Sequence, residues 1–92
     1  IASFADGETR KIFDGFVSLR LPTNIQRTAR RKLLYLNAAE DLADLLAPPG
    51  NRLEQLRGNR AGQYSIRIND QWRICFVWSN GKAHQVEIVD YH

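Results

Sequence analysis

The hydrophobic period of this chain changes once, at Pro48-Pro49-Gly50. Upstream, apolar residues recur every three or four positions, as on a helix face; downstream they alternate, as on a strand. Two prolines cannot both continue a helix, because each removes a backbone donor and clashes with the preceding turn. A helical half followed by a strand half predicts an α+β domain, with the helices packed on one face of a small antiparallel sheet. In the first half, Ile1 to Phe4 is predicted as a short strand. Asp6 is placed to cap a helix carrying Ile12, Phe13, Phe16 and Val17, and Gly15 to fray it. Pro22-Thr23 opens a second, longer helix whose stripe is Ile25, Ala29, Leu33, Leu36, Leu42, Leu45 and Leu46.

In the second half, 53–57 reads as a short strand and 58–62 as a turn. Positions 63–68 alternate polar Gln63, Ser65 and Arg67 with apolar Tyr64, Ile66 and Ile68. A turn at Asn69-Asp70 leads into Trp72, Ile74, Phe76 and Trp78, alternating with Arg73, Cys75 and Val77. Asn80-Gly81 is a hairpin turn, since a type I′ turn needs positive φ at both central residues. The last strand runs from 83 to 89, and the order is β-α-α-β-β-β-β. With 92 residues and 10.6 kDa this is one domain, 1–92, too small for a separate cofactor domain. Hydrophobic residues at 43% and charged at 25% exclude a disordered chain. No apolar run approaches the roughly 18–20 residues of a membrane span. The opening residues lack a basic leader and an apolar stretch, and a lone cysteine, Cys75, makes no internal disulfide, so a cytoplasmic protein with no membrane partner is expected.

Charge is small in sum, +3, but uneven. No acid stands between Asp14 and Glu40, where Arg20, Arg27, Arg30, Arg31 and Lys32 fall. Arg52, Arg57, Arg60, Arg67 and Arg73 form a second basic stretch. Ten of the 13 bases are Arg, whose planar fork suits phosphate and stacks on bases. Charge alone leaves a nucleic-acid surface and a solvated face open. The helices are expected to leave one sheet face uncovered, bearing Gln63, Ser65, Arg67 and Arg73. Arg73 lies mid-strand, where a charge needs a partner, either Asp90 or Glu54, or a phosphate. His92 is the natural proton-transfer group near neutral pH, and Tyr91 carries a ring and a phenol. Cys75, His84 and His92 have no metal-site spacing, so neither a metal nor a cofactor is expected.

Three neighbouring pieces, 48–58, 60–67 and 69–76, resemble the HigB-type killer toxins of the RelE superfamily. The third reads Asn69-Asp70-Gln71-Trp72-Arg73-Ile74-Cys75-Phe76. Residues 3–6, Leu36-Asn37-Ala38-Ala39 and the ending Asp90-Tyr91-His92 extend the resemblance over nearly the whole chain. The resemblance implies a RelE-like fold and a type II toxin that cleaves mRNA on the ribosome without metal. The ribose 2′-OH attacks its own 3′ phosphate, leaving a 2′,3′-cyclic phosphate and a 5′-OH. It assigns catalysis to Arg73, His92, Tyr91, Asp90, Arg57 and Glu54, where Glu54 stands at a position held by His in some members. RNA contacts are expected from Arg27, Arg30, Arg31, Lys32, Arg52, Arg60, Arg67 and Tyr64. The implied partners are a helix-turn-helix antitoxin, a ribosome with bound mRNA, and operator DNA through the antitoxin alone. Two alternatives stand beside it: a gyrase-poisoning relative, and an inactive toxin serving as an antitoxin-binding corepressor.

Overall fold

The structure, a computed structural model of the chain, describes residues 1–91. Asp6 caps α1 (Gly7–Phe13), accepting from the Thr9 N–H at 2.7 Å. Helix α2 spans Thr23–Ala38. The sheet follows with β1 (Glu54–Gln55), β2 (Tyr64–Arg67), β3 (Trp72–Ser79) and β4 (Lys82–Asp90). The four strands pair antiparallel in chain order, a meander. The core lies between helices and sheet, with Ile12, Ile25, Ala29, Leu33 and Leu36 from the helices against Ile66, Ile74, Phe76 and Val86. This is the expected α+β arrangement of two helices on one face of a small sheet. Asn80 and Gly81 adopt φ of 54° and 72°, as the type I′ reading requires.

Three local expectations are corrected. The segment 1–4 forms no strand; it runs beside β4 and makes a single parallel bridge, Phe4 to Val86. There β4 carries a bulge: Cys75 pairs with Glu87 but Val77 with His84, and Gln85 sits at φ 52°. The extra residue breaks the ladder edge that a fifth strand needs, while turning both Ala83 and Val86 into the core. The long second helix stops at Ala38 rather than running to Leu46. Asp41 accepts from the Ala43 N–H, and the Asp44 carboxylate accepts from the Glu40 and Asp41 N–H groups. These local bonds compete with the helix and start a separate 3₁₀ turn, Leu42–Leu46. Finally, Phe16 and Val17 lie beyond α1, 68% and 67% exposed, because the chain turns at Gly15 with φ 91°.

Candidate functional site

Strand alternation sorts the sheet side chains into two sets. Ile66, Ile74, Phe76, Val86 and Ile88 face the helices and are buried. The other face carries Glu54, Ser65, Cys75 and Glu87 in one cross-strand row, and Arg67, Arg73 and Val89 in the next.

Arg73 is the centre of this face. Its Nε donates to Ser65 Oγ at 2.7 Å, and its Nη2 donates to the Arg52 carbonyl at 2.6 Å. A Glu54 oxygen lies 3.7 Å from the same Nη2. The side chain is 12% exposed, so its charge sits at the protein surface with little freedom to move. Arg67 stands directly across from Arg73, a like-charge pair that would repel. Arg67 instead bonds Asp70 in the turn, and Arg73 leans towards Ser65 and Glu54, so the two guanidinium groups part.

Tyr91 completes the cluster, its ring 5.9 Å from the Arg73 guanidinium carbon. A chain end normally frays. Here the Tyr91 N–H donates to the Gln71 carbonyl at 2.6 Å, and Gln71 Nε2 donates to Asp90 at 3.2 Å. Asp90 pairs in register with Trp72, which packs against the core, so alternation turns it away from the face of Arg73 and Tyr91. Of the two acids weighed for Arg73, Glu54 is the one beside it. His92 lies outside the described residues.

Beside this cluster, Arg60 bonds Gln63 at 3.0 Å and Glu87 at 2.7 Å. The Glu87 bond holds the Arg60 pKa above its ordinary value. Buried Cys75 lies beneath, and burial pushes its thiol pKa up. Arg52 and Arg57 project exposed around β1. Arg27, Arg30 and Arg31 are exposed on α2, where they line a shallow groove with Phe16, Val17 and Leu34. Among the described residues, no three of His, Cys, Asp and Glu converge as metal ligands would.

Two residues expected on RNA are placed elsewhere. Lys32 is not on the solvent side of the basic helix: it is 5% exposed and its Nζ bonds Asn51 Oδ1 at 2.6 Å. Its neighbours Ile25, Ala29 and Leu36 are buried on the same helical stripe. Tyr64 is not on the open face; its ring stacks on Phe76, 6.2 Å between centroids. It shares the parity of Ile66, so a nucleotide on the Arg73 face is beyond its reach. Sequence reasoning missed two contributors, Ser65 as the acceptor for Arg73 and Glu87 as the partner of Arg60. The signal for both was local alternation: Ser65 precedes buried Ile66, and Glu87 lies between buried Val86 and Ile88, so each polar residue belongs to the open-face set.

Comparison with known proteins adds a family to this geometry. The model of the RelE-like toxin of type II toxin–antitoxin system HigB matches residues 2–92. The chain belongs to the HigB-like toxin family. Toxin HigB-1 of Vibrio cholerae serotype O1 is 48% identical over 63 residues, covering 68% of this chain and 66% of that protein. Endoribonuclease HigB of Proteus vulgaris is 29% identical over 96 residues, covering 100% of this chain and 99% of that one. The match thus spans just under two thirds of the Vibrio toxin but nearly all of the Proteus protein. In fold, the chain is similar to a chain of a YoeB–YefM complex from Staphylococcus aureus, with a TM-score of 0.61 and 16% identity, covering 100% of this chain and 97% of that one. No helix among the described residues is long and apolar enough to cross a membrane.

Proposed function

We propose that this HigB-family chain is a toxin that cleaves mRNA on the ribosome, using the Arg73 face of its sheet. The observation that carries the reading is the pinned guanidinium, held by Ser65 Oγ and the Arg52 carbonyl beneath the Tyr91 ring. The name of the Proteus relative, an endoribonuclease, points the same way. Transesterification needs a base for the 2′-OH, a cation for the charge growing on the phosphorane, and an acid for the departing 5′ oxygen. A guanidinium already oriented by protein acceptors stabilises that charge without reorganising. Arg73 takes this role, with exposed Arg57 beside β1 as a second cation. Glu54, next to Arg73, is the candidate base, and His92 exchanges a proton with the nucleophile or the leaving oxygen. Tyr91 positions the nucleotide over Arg73, and Asp90, through Gln71, holds the end of β4 that carries Tyr91 and His92. No metal takes part.

A shallow face binds a single strand weakly, so the ribosome supplies orientation. Arg27, Arg30 and Arg31 dock on ribosomal RNA phosphates, and Arg52, Arg60 and Arg67 flank the path of the mRNA. The neutralising partner is a helix-turn-helix antitoxin, which also binds the operator DNA. The protein works in the cytoplasm, where its substrate is.

The test is an in vitro translation reaction with mapping of mRNA 5′ ends, run beside a gyrase assay. New 5′ ends within translated codons, with far less cutting of free RNA, are expected. Equal cutting of naked RNA contradicts ribosome dependence. DNA breaks with gyrase, or no activity in either assay, would favour the gyrase-poisoning and corepressor readings respectively.

A further inference from the structure

Helix α2 contributes a buried cation that the proposed reaction does not use. Lys32 is 5% exposed, and among the described residues its hydrogen-bond acceptor is an amide, Asn51 Oδ1, rather than a carboxylate. Burial, with Arg31 and Arg67 nearby, lowers the Lys32 pKa from its ordinary value. An apolar side chain would fill this place at lower cost. What the amine gains is a fixed position for Asn51, which is itself 0% exposed.

Asn51 ties a whole turn together. Its Nδ2 donates to the Leu45 and Ala47 carbonyls at 3.2 Å each, and its backbone N–H donates to the Pro48 carbonyl at 2.9 Å. The next residue, Arg52, is held at φ 44° and ψ 56°, a conformation uncommon for a non-glycine residue. The Arg52 N–H donates to the Pro49 carbonyl at 3.1 Å. In that conformation the Arg52 carbonyl accepts from Arg73 Nη2 at 2.6 Å. Two residues later the chain enters β1 with Glu54, whose carboxylate lies 3.7 Å from the same nitrogen. The path from α2 to the guanidinium is therefore continuous: Lys32 Nζ, Asn51 side chain, Arg52 carbonyl, Arg73 Nη2.

We propose that Lys32 and Asn51 are positioning residues for Arg73, fixing the Arg52 carbonyl that orients its guanidinium. The inference builds on the cleavage reading for its rate consequence but not for its geometry. Neither residue touches RNA. Both act through the strained turn, so their loss leaves the charge of Arg73 in place and loosens its direction.

The test uses Lys32→Met, which fills the volume without a donor, and Lys32→Gln, nearly isosteric with it but still an N–H donor. Two readouts are taken on the 92-residue chain. One is the Arg73 Nε–H signal in a nitrogen–proton spectrum, assigned by its loss in Arg73→Lys. The other is single-turnover mRNA cleavage against ribosome concentration. In Lys32→Met the Arg73 signal should shift and broaden, and the saturating rate should fall about tenfold with half-saturation unchanged. Lys32→Gln should recover most of both. Asn51→Ser keeps an acceptor for Lys32 but drops both ties to the 45–47 carbonyls, and should give the same pair of changes. It also replaces Lys32→Met as the deciding variant if that protein fails to fold. Folded variants whose Arg73 signal and cleavage rate match wild type overturn the proposal. If the wild-type protein cuts no mRNA, the cleavage reading falls, and the Arg73 signal alone decides the positioning role.

Discussion

Arg73→Lys should lower single-turnover cleavage of ribosome-bound mRNA by about 10²–10³-fold, the usual loss when one oriented donor to a developing oxyanion is removed. The substitution keeps the positive charge and shortens no strand. What it removes is the fork. One ammonium cannot reproduce both the Nε bond to Ser65 Oγ at 2.7 Å and the Nη2 bond to the Arg52 carbonyl at 2.6 Å. Ribosome affinity should stay near wild type, because in the proposed function that step belongs to the surface arginines of α2. A thermal melt run alongside should shift by only a few degrees, since Arg73 lies on the uncovered face and not in the core. Near wild-type cleavage by Arg73→Lys would mean that charge, not geometry, is all the site takes from this residue.

Deleting Tyr91 and His92 should cost about 10²–10⁴ in the same assay, the range for loss of general acid–base help. The deletion should leave the melt close to wild type. Tyr91 is tied to the body by its N–H to the Gln71 carbonyl and by its ring over Arg73, not by core packing. Deleting His92 alone separates the two losses, and Tyr91→Phe separates the ring, which it keeps over Arg73, from the phenol. Tyr91→Phe should retain most of the rate if the ring is what matters. A truncated protein that melts normally and still cuts at the wild-type rate would take both residues out of the site.

Much of this was legible because backbone rules are local. Asn80-Gly81 demands a type I′ turn whatever surrounds it, and the alternation before it places Ile74 and Phe76 in the core, whereas Ile88 reaches the core only because the bulge at Gln85 shifts the register of β4. Arg73 could be singled out for the same reason: a charge of open-face parity in an apolar strand must find acceptors. The end of α2 was not legible, because Asp41 and Asp44 break the stripe through side-chain bonds that an apolar count passes over. Lys32 was misplaced by residue type. Ile25, Ala29, Lys32 and Leu36 follow four, three, four spacing, so position put it on the buried stripe although charge argued for solvent. Tyr64 was misplaced in the opposite way, since its parity with Ile66 already set it against the helices. Asn51 could not be found at all. Its partners, Lys32, Leu45 and Ala47, come together only when the 45–52 turn closes against α2.

The most direct test of the central claim is cleavage of a ribosome-bound mRNA carrying a single 2′-deoxynucleotide immediately 5′ of the mapped cut. With an all-ribose message, the account predicts a 2′,3′-cyclic phosphate on one fragment and a 5′-OH on the other. With the deoxy message, cleavage at that bond should vanish, because the attacking hydroxyl is gone while every contact to Arg73 remains available. Cutting of the deoxy bond at a rate comparable to the ribose bond would contradict the account.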